Sequence, residues 1–239
     1  MNTTQIRIDG SSALKSGEYE SANFTITLHE KNIANPYSRT YLFLKRAIDI
    51  SVSFLGLILL SPVFLLLAAA IRADSKGKVV YTQKRIGKNG KTFKIYKFRT
   101  MVHNADEVWE NFTPEQKAEF EVNFKLENDP RITRVGGFLR KTSLDELPQL
   151  VNILLGDISI VGPRPIVERE VYKYGVSAWK LMSVKPGLTG YWQVSGRNDV
   201  TYDERVEMDM FYIDNMSLLT DTKIFFKTFK VVLDKKGAH

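Results

Sequence analysis

The sequence predicts a mixed α/β chain that is mostly helical and associated with a membrane. Three observations carry this. From Ala47 to Ile71 the residues AIDISVSFLGLILLSPVFLLLAAAI are apolar all round, apart from Asp49 and a few serines. Apolar and polar residues alternate on both sides of Lys88-Asn89-Gly90, the pattern of a small β-hairpin with an Asn-Gly turn. Helix signals fill 104–127, 202–216 and 217–236.

Composition bounds the rest. The 239 residues suffice for one domain with a real core and a short appendage, and 44% hydrophobic with 26% charged residues excludes a disordered chain. The net charge of +7 points to a polyanionic partner: nucleic acid, an anionic lipid surface or a phosphorylated substrate. With no cysteine, disulfides, thiolate catalysis and Cys-based zinc sites are excluded. His29, His103 and His239 show no ligand spacing.

Residues 1–40 are polar and lack the apolar segment of a signal peptide. They read as a poorly ordered extension with a short strand at Asn23–Leu28. The apolar stretch, as one straight helix, would be about 37 Å long, enough to cross a bilayer core of about 30 Å. The bland alternative, a buried core helix, seldom runs so long without a polar face. Pro62 breaks the stretch by removing a backbone donor, and Ser61 can bond a freed carbonyl. Lys45 and Arg46 precede it; Arg72, Lys76 and Lys78 follow. Basic residues favour the cytoplasmic side, so two basic flanks suggest that both ends stay there. Arg46 and Asp49, three residues apart, can pair on one helical face near the interface. A re-entrant hairpin and a kinked span fit these residues equally.

Residues 76–102 contain no acid, and Lys84, Arg85, Lys88, Lys91, Lys94, Lys97 and Arg99 give the hairpin a basic face for headgroups or phosphate. GKNGK lacks phosphate-loop spacing. The acidic stretch 104–127 reads as a surface helix starting at Thr113-Pro114-Glu115. Residues 129–141 read as a turn followed by a basic stretch. Residues 147–165 read as a short helix, a Gly156-Asp157 turn, a short strand and a Pro-Arg-Pro loop. Residues 187–197 are glycine-rich with interleaved aromatics. Residues 202–216 look helical and mostly exposed. The basic, aromatic helix of 217–236 suits a membrane interface, and equally a core-packing or dimer helix.

The chemistry concentrates in TSLDELPQL, residues 142–150. Ser143-x-x-Glu146 matches a capping box, and acids in a first helical turn are common. Pro148 suits a first turn, which would put Asp145 and Glu146 at a helix N-terminus. Arg140 and Lys141 lie just upstream, and Arg164 lies in a stiff loop downstream. Arginine binds phosphate bidentately, and two carboxylates beside phosphate sites make sense if a divalent cation bridges them. Neighbours on a helix point about 100° apart, so the two acids cannot do identical jobs. The reaction suggested is phosphoryl transfer through a carboxylate nucleophile.

KFRTM (97–101), DPRITRVGGFLRKTSLDELPQLVNILLGDISIVGPRP (129–165) and PGLTGYWQVSGRNDVTYDERVEMDMFYI (186–213) resemble the bacterial sugar transferases, monotopic phosphoglycosyl transferases. The resemblance runs from about Tyr41 to the C-terminus. It implies transfer of a sugar 1-phosphate from a UDP-sugar to undecaprenyl phosphate with release of UMP, initiating exopolysaccharide, capsule or O-antigen. It implies Asp145 as nucleophile, Glu146 as partner and Mg²⁺ held by both. Arg140 and Arg164 match the family's phosphate-binding arginines, while Lys97, Arg99 and Asp157 sit in its motifs as substrate or loop support. Ser61-Pro62 matches its helix break, which makes the hairpin re-entrant. The layout implied is an N-terminal extension (1–40), a re-entrant helix (41–75) and a cytoplasmic catalytic domain (76–239) with interfacial helices, on the inner membrane of a bacterium. The segment from Trp192 resembles members using UDP-galactose or UDP-glucose. Lipid is an expected partner and nucleic acid is not; a homodimer fits the family and the aromatic tail. Many members carry several membrane spans where this chain has about 40 polar residues. The rival from another class is a non-catalytic membrane adaptor that binds anionic lipid or nucleic acid through the basic hairpin. It leaves the acids and arginines of 140–164 unexplained.

Overall fold

The structure is a computed structural model that describes residues 3–15, 18–29, 37–123, 126, 128–196 and 200–233. The first two elements, β1 (Thr3–Lys15) and β2 (Glu18–His29), form an antiparallel ladder. The sequence reading gave one strand here, and the structure has two. Asn23–Leu28 lies within β2, and the segment before it is also a strand. Polar residues dominate β1, so its period-2 pattern is faint, although Ile6 and Ile8 stand opposite Ile26 and Phe24.

The apolar stretch forms α1 (Arg39–Leu59) and α2 (Ser61–Asp74), bent by 61° at Leu60. The cause is local. Pro62 sits in the first turn of α2, where its missing donor costs nothing. Ser61 Oγ donates to the Ile58 carbonyl at 2.8 Å, as the sequence predicts. Among the described residues no single helix is long and apolar enough to cross a membrane; only the bent pair together is. The Arg46–Asp49 pair is not made. Arg46 donates to the carbonyls of Ile153 and Leu154, and Asp49 accepts from Ser159 Oγ and the Ile160 N–H at 3.0 and 2.9 Å. Partners distant in sequence compete better because they are buried beside α1, and a buried carboxylate must fill its lone pairs.

The hairpin follows as expected: β3 (Val80–Ile86) pairs antiparallel with β4 (Thr92–Phe98). At its tip Asn89 and Gly90 both take positive φ, the type I′ condition. Two acidic helices come next, α3 (Ala105–Glu110) and α4 (Pro114–Asn123), the latter opened by a reciprocal Thr113–Gln116 capping box. The basic stretch after Asp129 is a helix, α5 (Arg134–Thr142), which the sequence reading missed because Gly136 and Gly137 argue against one. Gly136 is required there: a Cβ would lie 2.0 Å from the Thr100 carbonyl oxygen.

Beyond it lie α6 (Gln149–Leu155), β5 (Ser159–Val161), a 3₁₀ segment (Glu168–Ser177), α7 (Ala178–Leu181), β6 (Gly187–Thr189), α8 (Tyr191–Ser195), α9 (Tyr202–Asp214) and α10 (Leu218–Leu233). β5 and β6 pair in parallel. α6 ends at Gly156, φ 87°, and Arg46 caps its last carbonyls. The expected surface helix 202–216 is half right: Asp209, Tyr212 and Ile213 of α9 are buried. α10 turns Ile224 into the core and leaves Phe226 and Phe229 exposed, so its core-packing reading holds for one face.

Two cores result. The larger joins α6, β5, α7, α9 and α10 around Ile153, Ile158, Val171, Met182 and Tyr212. The smaller joins α2, β4 and α5 through Ile71, Phe98 and Leu139, with Leu144 and Leu147 packed against it. The outer faces of α1 and α2 stay apolar and bare, with Phe43, Leu59, Leu65 and Leu66 each more than 70% exposed.

Candidate active site

Between the two cores the chain makes a tight turn. α5 closes on Ser143, a non-glycine residue in the left-handed region at φ 57°, ψ 16°. A single 3₁₀ turn, Leu144–Glu146, follows, and Pro148 caps α6. The expected Ser143–Glu146 capping box is not formed. The Ser143 side chain caps nothing, and its left-handed backbone is not that of an N-cap. What orients the acids is packing. Leu144 and Leu147 enter the smaller core, so Asp145 and Glu146 between them must turn elsewhere. In a 3₁₀ turn neighbours diverge by about 120°, so the two acids reach their shared lysine unequally.

Lys97, brought by β4, bridges them, with Nζ 2.6 Å from Glu146 Oε1 and 3.9 Å from Asp145 Oδ2. Arg164 Nη1 lies 3.7 Å from Glu146. Arg140 is close enough to Asp145 to interact electrostatically, and its Nε donates to Thr100 Oγ1 at 2.9 Å. Thus Lys97, Arg140 and Arg164 gather around the dyad. Arg99 does not. Its guanidinium donates to Ser75 and to the Ile71 carbonyl, fastening β4 to the end of α2. Burial explains this: the end of α2 carries open carbonyls inside the protein, and Arg99 satisfies them. Asp157 accepts from Asn152 and supports the turn after α6. Ser61 and Pro62 sit at the bend.

The electrostatics separate the two acids. Burial pushes the Asp145 carboxyl up to about 6, with Lys97 opposing and the charge of Glu146 adding. Burial pushes on Glu146 too, but Lys97 and then Arg164 outweigh it and bring it down to about 2. Glu146 is therefore the fixed anion that holds the cations. Asp145 accepts no hydrogen bond from any described residue, and its side chain stays 13% exposed. Its lone pairs are open.

A small cleft beside the dyad is lined by Arg85, Lys97, Glu146, Gln149, Arg164 and Leu188, among others. Arg85 enters from β3, donating to the Pro165 carbonyl and lying 3.6 Å from Glu170. The sequence reading left Arg85 among the general positive charge. Period-2 alternation could have found it, since Arg85 and Lys97 lie on opposite strands of one hairpin. Among the described residues no three His, Cys, Asp or Glu side chains gather into a metal cage. The dyad alone supplies two hard oxygen donors converging on the Lys97 ammonium. Carboxylate oxygens of this kind are the donors that Mg²⁺ takes, one or two at a time, with water and phosphate oxygens filling its shell.

The bacterial sugar transferase family matches residues 40–235. The chain belongs to this family. An undecaprenyl-phosphate galactose phosphotransferase of Salmonella typhimurium is 50% identical over 213 residues, which are 88% of this chain and 44% of that protein. The exopolysaccharide production protein ExoY of Sinorhizobium fredii is 48% identical over 198 residues, 82% of this chain and 88% of that one. A UDP-glucose:undecaprenyl-phosphate glucose-1-phosphate transferase of Escherichia coli is 42% identical over 210 residues, 84% and 42% respectively. This sugar transferase chain therefore spans less than half the length of some relatives and most of another.

Proposed function

We propose that the chain transfers a hexose 1-phosphate, galactose or glucose, from a UDP-sugar to undecaprenyl phosphate. This would initiate an exopolysaccharide, capsule or O-antigen. The observation that carries the reading is Asp145: a carboxylate that accepts no hydrogen bond among the described residues, ringed by Lys97, Arg140 and Arg164. Such a group is a nucleophile set among phosphate-binding cations. The adaptor reading has no use for it.

Two steps follow. An Asp145 carboxylate oxygen attacks the sugar-bearing β-phosphorus of the UDP-sugar. The bond from that phosphorus to the bridging oxygen breaks, and UMP leaves with the oxygen. A phosphate oxygen of undecaprenyl phosphate then attacks the same phosphorus, and the Asp145 oxygen–phosphorus bond breaks to restore the carboxylate. Lys97 and Arg164 bind and orient the diphosphate beside Glu146; Arg140 serves the Asp145 side. Asp145 and Glu146 would hold Mg²⁺, whose chemistry is to offset the phosphate charge.

The membrane reading belongs here too, with 41–75 as a re-entrant element, 1–40 as the extension before it and 76–239 as a catalytic body on the cytoplasmic face. Both ends of the bent pair are fastened to that one body: α1 through Lys45, Arg46 and Asp49, and α2 through Ile71 and Asp74. This supports two ends on the same side of the bilayer. Protease access to residues 1–44 in oriented vesicles tests it; access from the outer face would mean a span. The reaction is tested by UMP release from a panel of UDP-sugars with undecaprenyl phosphate and Mg²⁺. Release with one sugar and none from Asp145→Asn is expected. No release by folded wild type with any sugar would sink the reading.

A further inference from the structure

Arg205, on the second turn of α9, lies over the buried indole of Trp192, with its guanidinium carbon 4.8 Å from the ring centroid. Its Nε is shielded from solvent and donates to no atom of the described residues. Among the described residues it joins no ion pair. A half-buried guanidinium usually meets a carboxylate or a carbonyl, and its donors are costly to leave idle.

The surroundings suggest what is missing. Arg164 links Arg205 to the dyad, being 3.7 Å from Glu146 on one side, while on the other burial depresses the ionisation of Arg205 and the charge of Arg164 adds to it. Arg85 interacts with Arg164 in the same way. Lys97, Arg85, Arg164 and Arg205 thus form a cationic group, with Glu146, Asp145 and Glu170 as the acids among them. Asp209 lies near Arg164, but it is buried and takes a hydrogen bond from Tyr174. Positive charge is in excess. Like charges held together without enough anions are a site for an anion of more than one charge. A guanidinium stacked on an indole keeps the N–H groups of its edge free in one plane, the geometry that grips phosphate with two bonds.

We infer that Arg205, held on Trp192, binds the α-phosphate of the nucleotide sugar, the phosphate that departs within UMP. This rests on the reaction proposed above. The β-phosphate must lie within reach of Asp145, where Lys97 and Arg164 already stand. The α-phosphate is one bridging oxygen further out, and Arg205 is a cation beside Arg164 with an idle donor. Arg205 is thereby a substrate-binding residue that holds the leaving group and takes no part in the lipid acceptor's site.

The test is calorimetric titration of UMP into the detergent-solubilised full chain, paired with steady-state kinetics. Arg205→Gln should weaken UMP binding by about ten- to hundredfold, the loss expected for charge-assisted bonds. It should raise KM for the UDP-sugar in proportion and leave KM for undecaprenyl phosphate unchanged. Arg205→Lys, which keeps the charge and loses the planar edge, should fall between, and it serves as the probe if the glutamine variant fails to fold. Unchanged UMP affinity in both Arg205 variants would overturn the inference, as would an equal rise in both KM values. If wild type releases UMP while these results come back negative, the inference fails and the reaction stands. If wild type neither binds nor releases UMP, both fail.

Discussion

Two lysine–carboxylate pairs in this protein look alike on paper and differ in what surrounds them. Lys45 lies 2.6 Å from Asp221, and Lys97 lies 2.6 Å from Glu146. Asp221 also accepts from the hydroxyls of Tyr41 and Tyr212, at 2.9 and 2.7 Å, and Lys45 donates again to the Val161 carbonyl. Every member is occupied, and the network ties α1 to α10, α9 and β5. At the other pair, Lys97 reaches towards a second acid, Asp145, that has no hydrogen bond of its own. The first arrangement is finished and holds the fold together. The second is left incomplete, and that is where a substrate can enter.

The largest expected contrast is between the two aspartates. Asp145→Asn should abolish UMP release, a loss of at least about a thousandfold, and leave the melting temperature near wild type. Asp221→Ala should do the reverse. It strands a part-buried lysine and two tyrosine hydroxyls, so it should cost about 3–5 kcal/mol of stability, read by denaturant unfolding. The activity of the molecules that stay folded should persist. Equal stability of the two variants would erase the comparison.

A smaller effect sharpens it. Asp145 must be ionised to attack, and its carboxyl is raised to about 6. The rate should therefore fall about tenfold per pH unit below that value. Lys97 is the strongest influence lowering it. Lys97→Met should move the acid limb of the pH–rate profile upward, and an unmoved limb would mean that another group sets it. The sign for stability is opposite. A carboxyl raised in the folded state holds its proton there while the unfolded chain has lost its own. Its contribution is full below the unfolded value of 3.8 and is lost as pH rises through about 6.

The smallest effect concerns the turn itself. Ser143 holds a left-handed backbone conformation that L-residues enter at a cost. Ser143→Gly should stabilise by up to about 1 kcal/mol, measured by thermal unfolding, with turnover unchanged. Destabilisation would show that the serine side chain matters in a way its cap geometry does not reveal.

What the sequence made legible was local. Lys88-Asn89-Gly90 named the hairpin, Ser61-Pro62 named the bend, and the spacing of Arg140, Asp145, Glu146 and Arg164 named residues that the fold brings together. What it hid was long-range. Nothing near Asp49 announces Ser159, 110 residues on, and nothing near Lys45 announces Asp221, 176 residues on. Arg205 and Trp192 meet only because α8 and α9 pack together. The missed helix α5 shows the reverse failure: Gly136 looks like a breaker locally, and only the Thr100 backbone behind it explains why glycine is there. The capping box failed for a similar reason. Its residues were right, but the packing of Leu144 and Leu147 decided the turn.

The fastening of α1 has a consequence for how the protein is made. Arg46 finds its carbonyls 107 residues downstream, and Lys45 its carboxylate 176 residues downstream. At about 5–20 residues per second, a ribosome needs on the order of ten to thirty-five seconds to supply the second of these. Throughout that interval α1 has emerged with its buried polar groups unanswered. The nascent apolar segment must therefore wait, at the bilayer or in the care of a chaperone, for the body that fastens it.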